Sequence, residues 1–180
     1  AGEIRRRAAP SLAIAVPVFI VGLGVSITFA LGLAFFRGSA LDFWGVVACV
    51  VLMSISALFF IVAGQFVFGR LLQVVPISGF DTGADLWRFL LLPVAIGIVA
   101  RLGGETRFNR TVFLEEINKD YVRTARAKGL SEAAVLFRHV LRNGLIPILS
   151  SSVAVIPLLF MGSLLTESFF SIPGLGSYLI

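Results

Sequence analysis

The residues of this chain that offer the most chemistry are cationic side chains that recur at helical spacing in one polar segment. Lys119, Arg123 and Arg126 stand at positions i, i+4 and i+7, which places their ammonium and guanidinium groups along one face of a helix. Such a row can dock into a groove of another protein, or it can face the anionic headgroups of a membrane. The spacing therefore predicts recognition of a charged surface and leaves these two partners open.

Few other side chains in the sequence suggest catalysis or metal binding. His139 is the only histidine, and Cys49 is the only cysteine and lies inside an apolar run. A disulfide framework or a metal cluster within the chain is therefore excluded, and we predict no catalytic, cofactor-binding or metal-binding residue. The sequence also lacks the Gly-x-x-x-x-Gly-Lys-Ser/Thr phosphate loop, so we do not expect the chain to hydrolyse ATP itself.

The polar segment carries the signals of two helices joined by a tight turn. Glu115 precedes Lys119 by four residues, an order that favours an ion pair on a helix. Gly129 is suited to the left-handed position that ends a helix, and Ser131 is a good N-cap for a second helix, which we predict over 133–142. The first helix also carries an apolar row at four-residue spacing, formed by Phe113, Ile117 and Tyr121.

The composition of the whole chain indicates what must position this segment. Of the 180 residues, 58% are hydrophobic and 14% are charged, whereas soluble domains have about 45–50% apolar and about 25% charged residues. This excludes an ordinary soluble enzyme domain and a disordered chain, and it favours a membrane protein. The net charge is +5, yet we predict no nucleic-acid binding, because most of the basic residues are concentrated between Arg101 and Arg142.

Long uncharged or nearly uncharged runs predict transmembrane helices at 12–36, 43–69, 86–105 and 145–168, because about 20 apolar residues cross a bilayer. Pro157 is expected to kink the last of them. The chain starts without methionine and stops at Ile180 as another apolar segment begins. We therefore expect both ends to be truncated and the number of spans to be a minimum.

The distribution of basic residues predicts the orientation of these spans. Five arginines lie before the first span or between the second and third, and ten basic residues lie on the other side, in the turn 37–42 and the segment 101–143. Because cytoplasmic loops carry an excess of Lys and Arg, the polar segment 106–143 is predicted to lie in the cytoplasm.

Three sequence blocks stand out in and after the polar segment. The first block, 120–131, reads DYVRTARAKGLS; the second, 138–147, reads RHVLRNGLIP; and the third, 167–176, reads ESFFSIPGLG. In this order and spacing they resemble ABC importer permeases, most closely the dipeptide/oligopeptide/nickel branch. The general family signature is Glu-Ala-Ala, three residues and Gly, and in register with Gly129 this chain has Arg123-Thr124-Ala125. The literal Glu132-Ala133-Ala134 is out of register, so no glutamate contact is carried over from the signature.

The resemblance implies an all-α fold: a polytopic transmembrane helical bundle with a cytoplasmic helix-turn-helix coupling loop at 106–143, in a single ABC transporter transmembrane domain over 1–180. It implies a permease subunit that translocates peptides, nickel or related small solutes. Expected partners are separate ABC ATPase subunits, a second permease subunit, an extracytoplasmic solute-binding protein and the lipid bilayer. The expected location is the cytoplasmic (inner) membrane of a bacterium or archaeon, as a multi-pass protein.

The resemblance also assigns roles within the loop. Gly129 is expected to permit the turn, Ala125 and Ala127 to keep the helix thin enough to enter a cleft, and Arg123 and Arg126 to supply charged contacts. The full set of residues implied in ATPase coupling is Asp120, Tyr121, Arg123, Thr124, Ala125, Arg126, Ala127, Lys128, Gly129, Leu130 and Ser131.

Two other classes of protein remain as alternatives. A passive channel or a membrane anchor subunit shares the spans but has no need for a helix-Gly-helix connector. An intramembrane enzyme needs a nucleophile and a base, or metal ligands, at matched depth. The predicted spans contain no His, Asp or Lys, so the sequence disfavours the enzyme.

Overall fold

The computed structural model describes residues 2–72, 86–159 and 164–176, and within these ranges the regular secondary structure is helical and no strand occurs. The predicted all-α class is therefore confirmed for these residues. The helices are α1 (Gly2–Phe35), α2 (Ala40–Ser54), α3 (Ala57–Gly64), α4 (Leu86–Ile117), α5 (Asp120–Ala127), α6 (Glu132–Ala134), α7 (Leu141–Val153), α8 (Ile156–Leu159) and α9 (Leu164–Phe169). Two π-helical segments, Gln65–Leu71 and Val135–Val140, follow α3 and α6 directly.

Two helices in the described part of the chain are long and apolar enough to cross a membrane. They are Arg7–Phe35 within α1 and Phe89–Ile117 within α4, each of 29 residues. At 1.5 Å per residue each measures about 44 Å, more than the hydrocarbon core of about 30 Å requires. Both helices cover segments for which the sequence predicts spans, and α4 continues 12 residues beyond the predicted end of its span at residue 105.

The segment 43–69, predicted as one helix, is divided in two. The α2 helix and the helical stretch Ala57–Leu71 are bent by 89° relative to each other, as in a broken span or a re-entrant loop. Ser56 lies at the break with extended backbone angles, and its hydroxyl accepts a hydrogen bond from the Leu58 amide at 3.3 Å. A serine N-cap supplies a partner for an amide at the start of a new helix, which the hydrophobic pattern alone does not predict.

The segment 145–168 also contains a break. The α7 helix ends at Val153, and α8 begins at Ile156 with Pro157 in its first turn. Val153 is four residues before Pro157, and a proline ring clashes with the carbonyl group at that position, so the break lies where the sequence predicts a kink. Residues 160–163, part of the loop 70–88 and the final residues 177–180 lie outside the described residues, and the crossing of 145–168 stays a prediction.

The chain divides into two compact units. The first unit comprises Ala1–Gly22, Ser54–Arg101 and Val155–Ile180, and the second unit comprises Leu23–Met53 and Leu102–Ala154. The buried core of the first unit includes Val18, Leu92 and Ile96. The second unit contains the whole polar segment 106–143, called the polar connector below, together with the ends of the helices that flank it.

The second unit is held together by apolar packing and two long-range polar contacts. Its core is formed by residues of α1, α4, α5, α7 and the π-helical segment Val135–Val140. The buried Asn109 amide donates to Ser26 Oγ at 3.0 Å, joining α4 to α1. Arg110 donates to both carboxylate oxygens of Asp42, at 2.8 and 2.7 Å, joining α4 to α2. A bidentate arginine–carboxylate pair fixes orientation as well as distance.

Two glycines test how tightly the second unit is packed. A Cβ on Gly144 in α7 would lie 2.8 Å from two ring carbons of Phe113, which is fully buried, whereas a Cβ on Gly104 in α4 would meet nothing within 4 Å. Gly144→Ala is therefore expected to destabilise the protein by about 1–3 kcal/mol through overpacking, and Gly104→Ala to stabilise it by up to about 1 kcal/mol. Thermal unfolding in detergent measures both.

Because both substitutions gain the same helix propensity, the difference between them isolates the contact with Phe113. Equal melting temperatures for the two variants would contradict this packing.

Candidate functional site

The polar connector contains a short helix, α5, that begins at a break. The α4 helix ends at Ile117, and Lys119 has extended backbone angles (φ −75°, ψ 154°) before α5 starts at Asp120. The expectation of one continuous helix from Phe113 to Tyr121 is therefore wrong, and so is the expected pairing geometry of Lys119 with Glu115. Lys119 instead pairs with Glu116, three residues before it.

One face of α5 is buried in the core of the second unit. Val122 is fully buried and Ala125 is 5% exposed, and both pack in the cluster that contains Phe113 and Val140. Ala125 therefore anchors the helix to its own chain, and its predicted role in entering a cleft does not fit this placement. The face that remains exposed carries Asp120, Arg123, Thr124 and Ala127.

A buried carboxylate fastens the start of α5 to the end of α4. Glu116 is 6% exposed, and its Oε2 accepts a hydrogen bond from the Tyr121 hydroxyl at 2.7 Å while Lys119 donates to Oε1. Asn143 of α7 lies close enough to the same hydroxyl to act on its pKa, which it lowers. Burial, and then the hydrogen bond to Glu116, raise the pKa of Tyr121 to about 12, so the hydroxyl stays protonated and remains a donor at neutral pH.

No sequence motif assigns Glu116 or Asn143 to this site. Tyr121 belongs to a motif, but no helical spacing connects a tyrosine to an acid five residues earlier across a helix break. The signal in the sequence is the position of Glu116 directly before Ile117 of the apolar row, because a buried acid needs nearby donors such as Lys119 and Tyr121.

Gly129 ends α5 in a left-handed turn. Its φ is +79°, and its amide donates to Arg126 O at 2.9 Å while the Leu130 amide donates to Ala125 O at 3.4 Å. These two bonds define a Schellman motif, in which the glycine occupies the left-handed C′ position. Ser131 then caps α6, its hydroxyl accepting from the Ala134 amide at 3.3 Å. The predicted turn glycine and serine cap are both found in these positions.

An exposed ion pair joins the two sides of the Gly129 turn. Arg126 donates from Nε to Glu132 Oε1 at 2.8 Å and from Nη2 to Oε2 at 3.0 Å, a bidentate pair that joins α5 to α6 across Gly129. Arg123 pairs with Asp120 at 3.2 Å, but both side chains are largely exposed, so this contact contributes little. Each member of the predicted cationic row thus faces a carboxylate of its own chain.

The site offers a rigid, charged surface. The predicted residues from Asp120 to Ser131 lie together in one helix and one turn, and Lys128 and Leu130 are exposed at that turn. Among the described residues, no group of three or more His, Cys, Asp or Glu side chains gathers in a way that holds a metal ion. This geometry provides an exposed helix face that carries Asp120 and Arg123 beside the small side chains of Thr124 and Ala127.

Comparisons with known proteins identify relatives of the whole chain. A family model described as "binding-protein-dependent transport system inner membrane component" matches residues 22–180. A putative peptide transport system permease protein of Brucella suis biovar 1 (strain 1330) is 32% identical over 98% of this chain and 58% of its own length. A di/tripeptide transport system permease protein of Pseudomonas aeruginosa (strain UCBPP-PA14) is 38% identical over 77% of this chain and 44% of its own length.

A third relative, an oligopeptide transport system permease protein of Bacillus subtilis (strain 168), is 42% identical over 53% of this chain and 30% of its own length. The chain thus spans no more than 58% of the length of these relatives.

The Glu116–Tyr121 contact can be tested by removing the hydroxyl. Tyr121→Phe leaves a buried carboxylate without one donor, and we expect it to lower the free energy of unfolding by about 1–3 kcal/mol. Thr111→Val is the matched control, because Thr111 is exposed and its hydroxyl donates to Arg107 O one turn earlier. Thermal unfolding of the two variants measures the effect, and an equal loss in both would argue against a buried network.

Proposed function

The chain belongs to the family of binding-protein-dependent transport system inner membrane components, and on that premise we propose that it is a membrane-spanning permease subunit of an ATP-driven peptide importer. We infer the substrate class, peptides, from three relatives that are named peptide, di/tripeptide and oligopeptide transport system permeases. ATP hydrolysis is assigned to separate ATPase subunits. Nickel or related small solutes are the alternative cargo.

The proposal places four spans in the cytoplasmic membrane of a bacterium or archaeon, at 12–36, 43–69, 86–105 and 145–168. The lengths of α1 and α4 support this placement, as do large apolar side chains that are more than half exposed, such as Ile20 (61%), Phe29 (58%) and Trp44 (66%). Large exposed apolar surfaces mark a contact with a membrane or with another protein, and we propose that lipid covers these side chains.

The segment 106–143 is proposed to be a cytoplasmic helix-turn-helix coupling loop, with α5 as the helix that contacts an ATPase subunit. The observation that carries this is the division of α5 into a buried face and an exposed face. Val122 and Ala125 are packed into the second unit, and Glu116 and Tyr121 fix the start of the helix. A movement of the exposed face is therefore expected to move α4 and α7 as well, because residues of α4, α5 and α7 pack in one core.

The remaining partners follow from the same proposal. A second permease subunit completes the pathway across the membrane, two ATPase subunits bind on the cytoplasmic side, and an extracytoplasmic solute-binding protein delivers the peptide. A passive channel or a membrane anchor has no use for an α5 helix that is fastened on one face and presented on the other. Substitution of Gly129 tests this distinction, and proteolysis tests the side of the membrane on which the loop lies.

Substitution of Gly129 tests the role of the turn while the buried contacts of α5 are left unchanged. A β-branched residue at φ +79° is strongly disfavoured, at about 1–2 kcal/mol or more, whereas asparagine tolerates this conformation. We expect Gly129→Val to insert normally and to keep ATP hydrolysis while peptide uptake falls about tenfold, the equivalent of about 1.4 kcal/mol. Gly129→Asn should keep both activities. Uptake and hydrolysis are measured in proteoliposomes that hold the full-length transporter complex.

Normal uptake by Gly129→Val would contradict the role of the turn in coupling. A parallel loss of uptake and ATP hydrolysis in both variants would show instead that the segment serves only assembly.

The orientation of the loop is tested by proteolysis. Lys128 is exposed at the turn, and we expect trypsin to cleave after it in inside-out membrane vesicles and not in sealed right-side-out vesicles, with the fragments identified by mass spectrometry. Lys128→Gln removes this cleavage site and serves as the control for assignment of the fragment. Cleavage after Lys128 in intact right-side-out vesicles would overturn the cytoplasmic assignment and the coupling proposal with it.

A further inference from the structure

The second unit contains a cavity of about 590 Å³ between the end of α1 and the polar connector. Its wall includes Phe35 at the end of α1, Arg37 in the turn that follows, and Ile117 at the end of α4. The connector adds apolar side chains, among them Leu136 and Val140. The volume lies in the range of about 300–1,000 Å³ that is usual for small-molecule sites.

Both helices that are long and apolar enough to cross a membrane end at this cavity. The first ends at Phe35 and the second at Ile117, and both of these final residues line the wall. A bilayer measures about 40–45 Å when its headgroups are included, and each helix of 29 residues measures about 44 Å. With these helices placed across the membrane as proposed above, their ends and the cavity lie at the level of the lipid headgroups.

Exposed aromatic side chains on both sides of Arg37 support this depth. Phe36 is exposed and meets the ring of Phe35 edge to face, with the ring centroids 5.0 Å apart. Trp44 is exposed in α2 and meets Phe43 in the same way, with the ring centroids 5.5 Å apart. Because tryptophan is enriched at membrane–water interfaces, the turn between α1 and α2 is expected to lie there.

The cavity wall carries one positive charge in excess. Arg126 and Glu132 both line it, and their bidentate ion pair offsets one charge against the other. Arg37 is exposed, and its guanidinium forms no hydrogen bond or ion pair with any residue that the structure describes. A guanidinium presents five N–H donors in a planar fork that matches the oxygens of a phosphate group. The wall therefore complements a ligand that carries a single negative charge.

We propose that this cavity binds an anionic phospholipid of the phosphatidylglycerol type, with the phosphodiester at Arg37 and the upper part of an acyl chain against the apolar wall. Basic pockets between membrane helices on the cytoplasmic side are suited to anionic headgroups. A free phosphate ion would leave the apolar wall in contact with water, and a segment of a soluble protein would have to enter at the level of the headgroups. The proposal rests on the membrane placement of α1 and α4 in the proposed function, and not on the cargo.

The lipid selectivity is measured by native mass spectrometry of the full-length transporter complex after removal of lipid in detergent. Dioleoylphosphatidylglycerol and dioleoylphosphatidylcholine have the same chains, and we expect the first to bind more tightly because only it carries a net negative charge. Arg37→Gln should weaken its binding about fivefold, the equivalent of about 1 kcal/mol for one arginine near a membrane surface. Because Arg37 is exposed, this substitution is not expected to affect folding.

Arg138→Gln is the matched control, because Arg138 is also an exposed arginine of the connector but lies outside the cavity wall. It should leave the binding of phosphatidylglycerol unchanged, and sn-glycerol 3-phosphate at the same concentration should not displace the lipid. Equal binding of the two lipids, an unchanged affinity in Arg37→Gln, an equal loss in Arg138→Gln, or displacement by glycerol phosphate would each overturn the proposal.

A second measurement locates the bound lipid. A bimane label is attached to Phe35→Cys, or to Phe36→Cys as the control, because the two residues are adjacent and similarly exposed but only Phe35 lines the cavity. Cys49→Ala removes the thiol native to this chain. We expect brominated phosphatidylglycerol to quench the label at position 35 more strongly than brominated phosphatidylcholine does, and the two lipids to quench the label at position 36 equally.

The opposite outcomes are equally clear. Equal quenching by the two lipids at position 35 would place the bound phosphatidylglycerol elsewhere and overturn the site. A thiol at position 35 that reacts only after the ATPase subunits are removed would show that a protein partner covers the cavity, and the lipid proposal would then be wrong.

Failure of this inference is distinguishable from failure of the proposed function. A complex that imports peptide but shows no preference for phosphatidylglycerol keeps the importer function and loses the lipid site. A complex that binds phosphatidylglycerol at position 35 but imports no peptide under ATP hydrolysis keeps the lipid site and loses the importer function.

Discussion

The attachment of α5 to the rest of its own unit is the constraint on which the connector depends. A helix of eight residues is too short to be stable in water by itself, so its existence requires the burial of Val122 and Ala125 against residues of α4 and of the segment Val135–Val140. Glu116 and Tyr121 fix the same helix at its start, and the Schellman turn at Gly129 fixes its end. Each of these contacts joins α5 to a different neighbouring part of the second unit.

Buried carboxylates join separate elements in both units. In the second unit, Glu116 accepts hydrogen bonds from Tyr121 and Lys119 and joins α4 to α5. In the first unit, Glu167 accepts a hydrogen bond from Ser11 of α1, and the same hydroxyl accepts from the Leu175 amide. Such donors lower the cost of removing a buried acid from water, so each carboxylate stabilises the contact between the elements that supply its donors.

The sequence was sufficient where structure depends on neighbours along the chain. The apolar runs predicted the long helices α1 and α4, because hydrophobic length is a local property. Gly129 and Ser131 were assigned to the turn and to the cap for the same reason, since both positions are defined by the backbone angles of one residue. The family was also recognisable from three short blocks of sequence, whereas the spans, the cytoplasmic side and the contact with an ATPase remain predictions.

The tertiary structure decided what depends on residues that are distant in sequence. Spacing alone placed Arg126 in an outward cationic row, but the turn brings Glu132 within hydrogen-bond distance and pairs the two residues. Ala125 and Ala127 were alike in sequence, and only packing against the core buries the first and exposes the second. The contact of Ser11 with Glu167 joins residues 156 positions apart, and no local pattern encodes it, because hydrogen bonds and packing depend on distance in space.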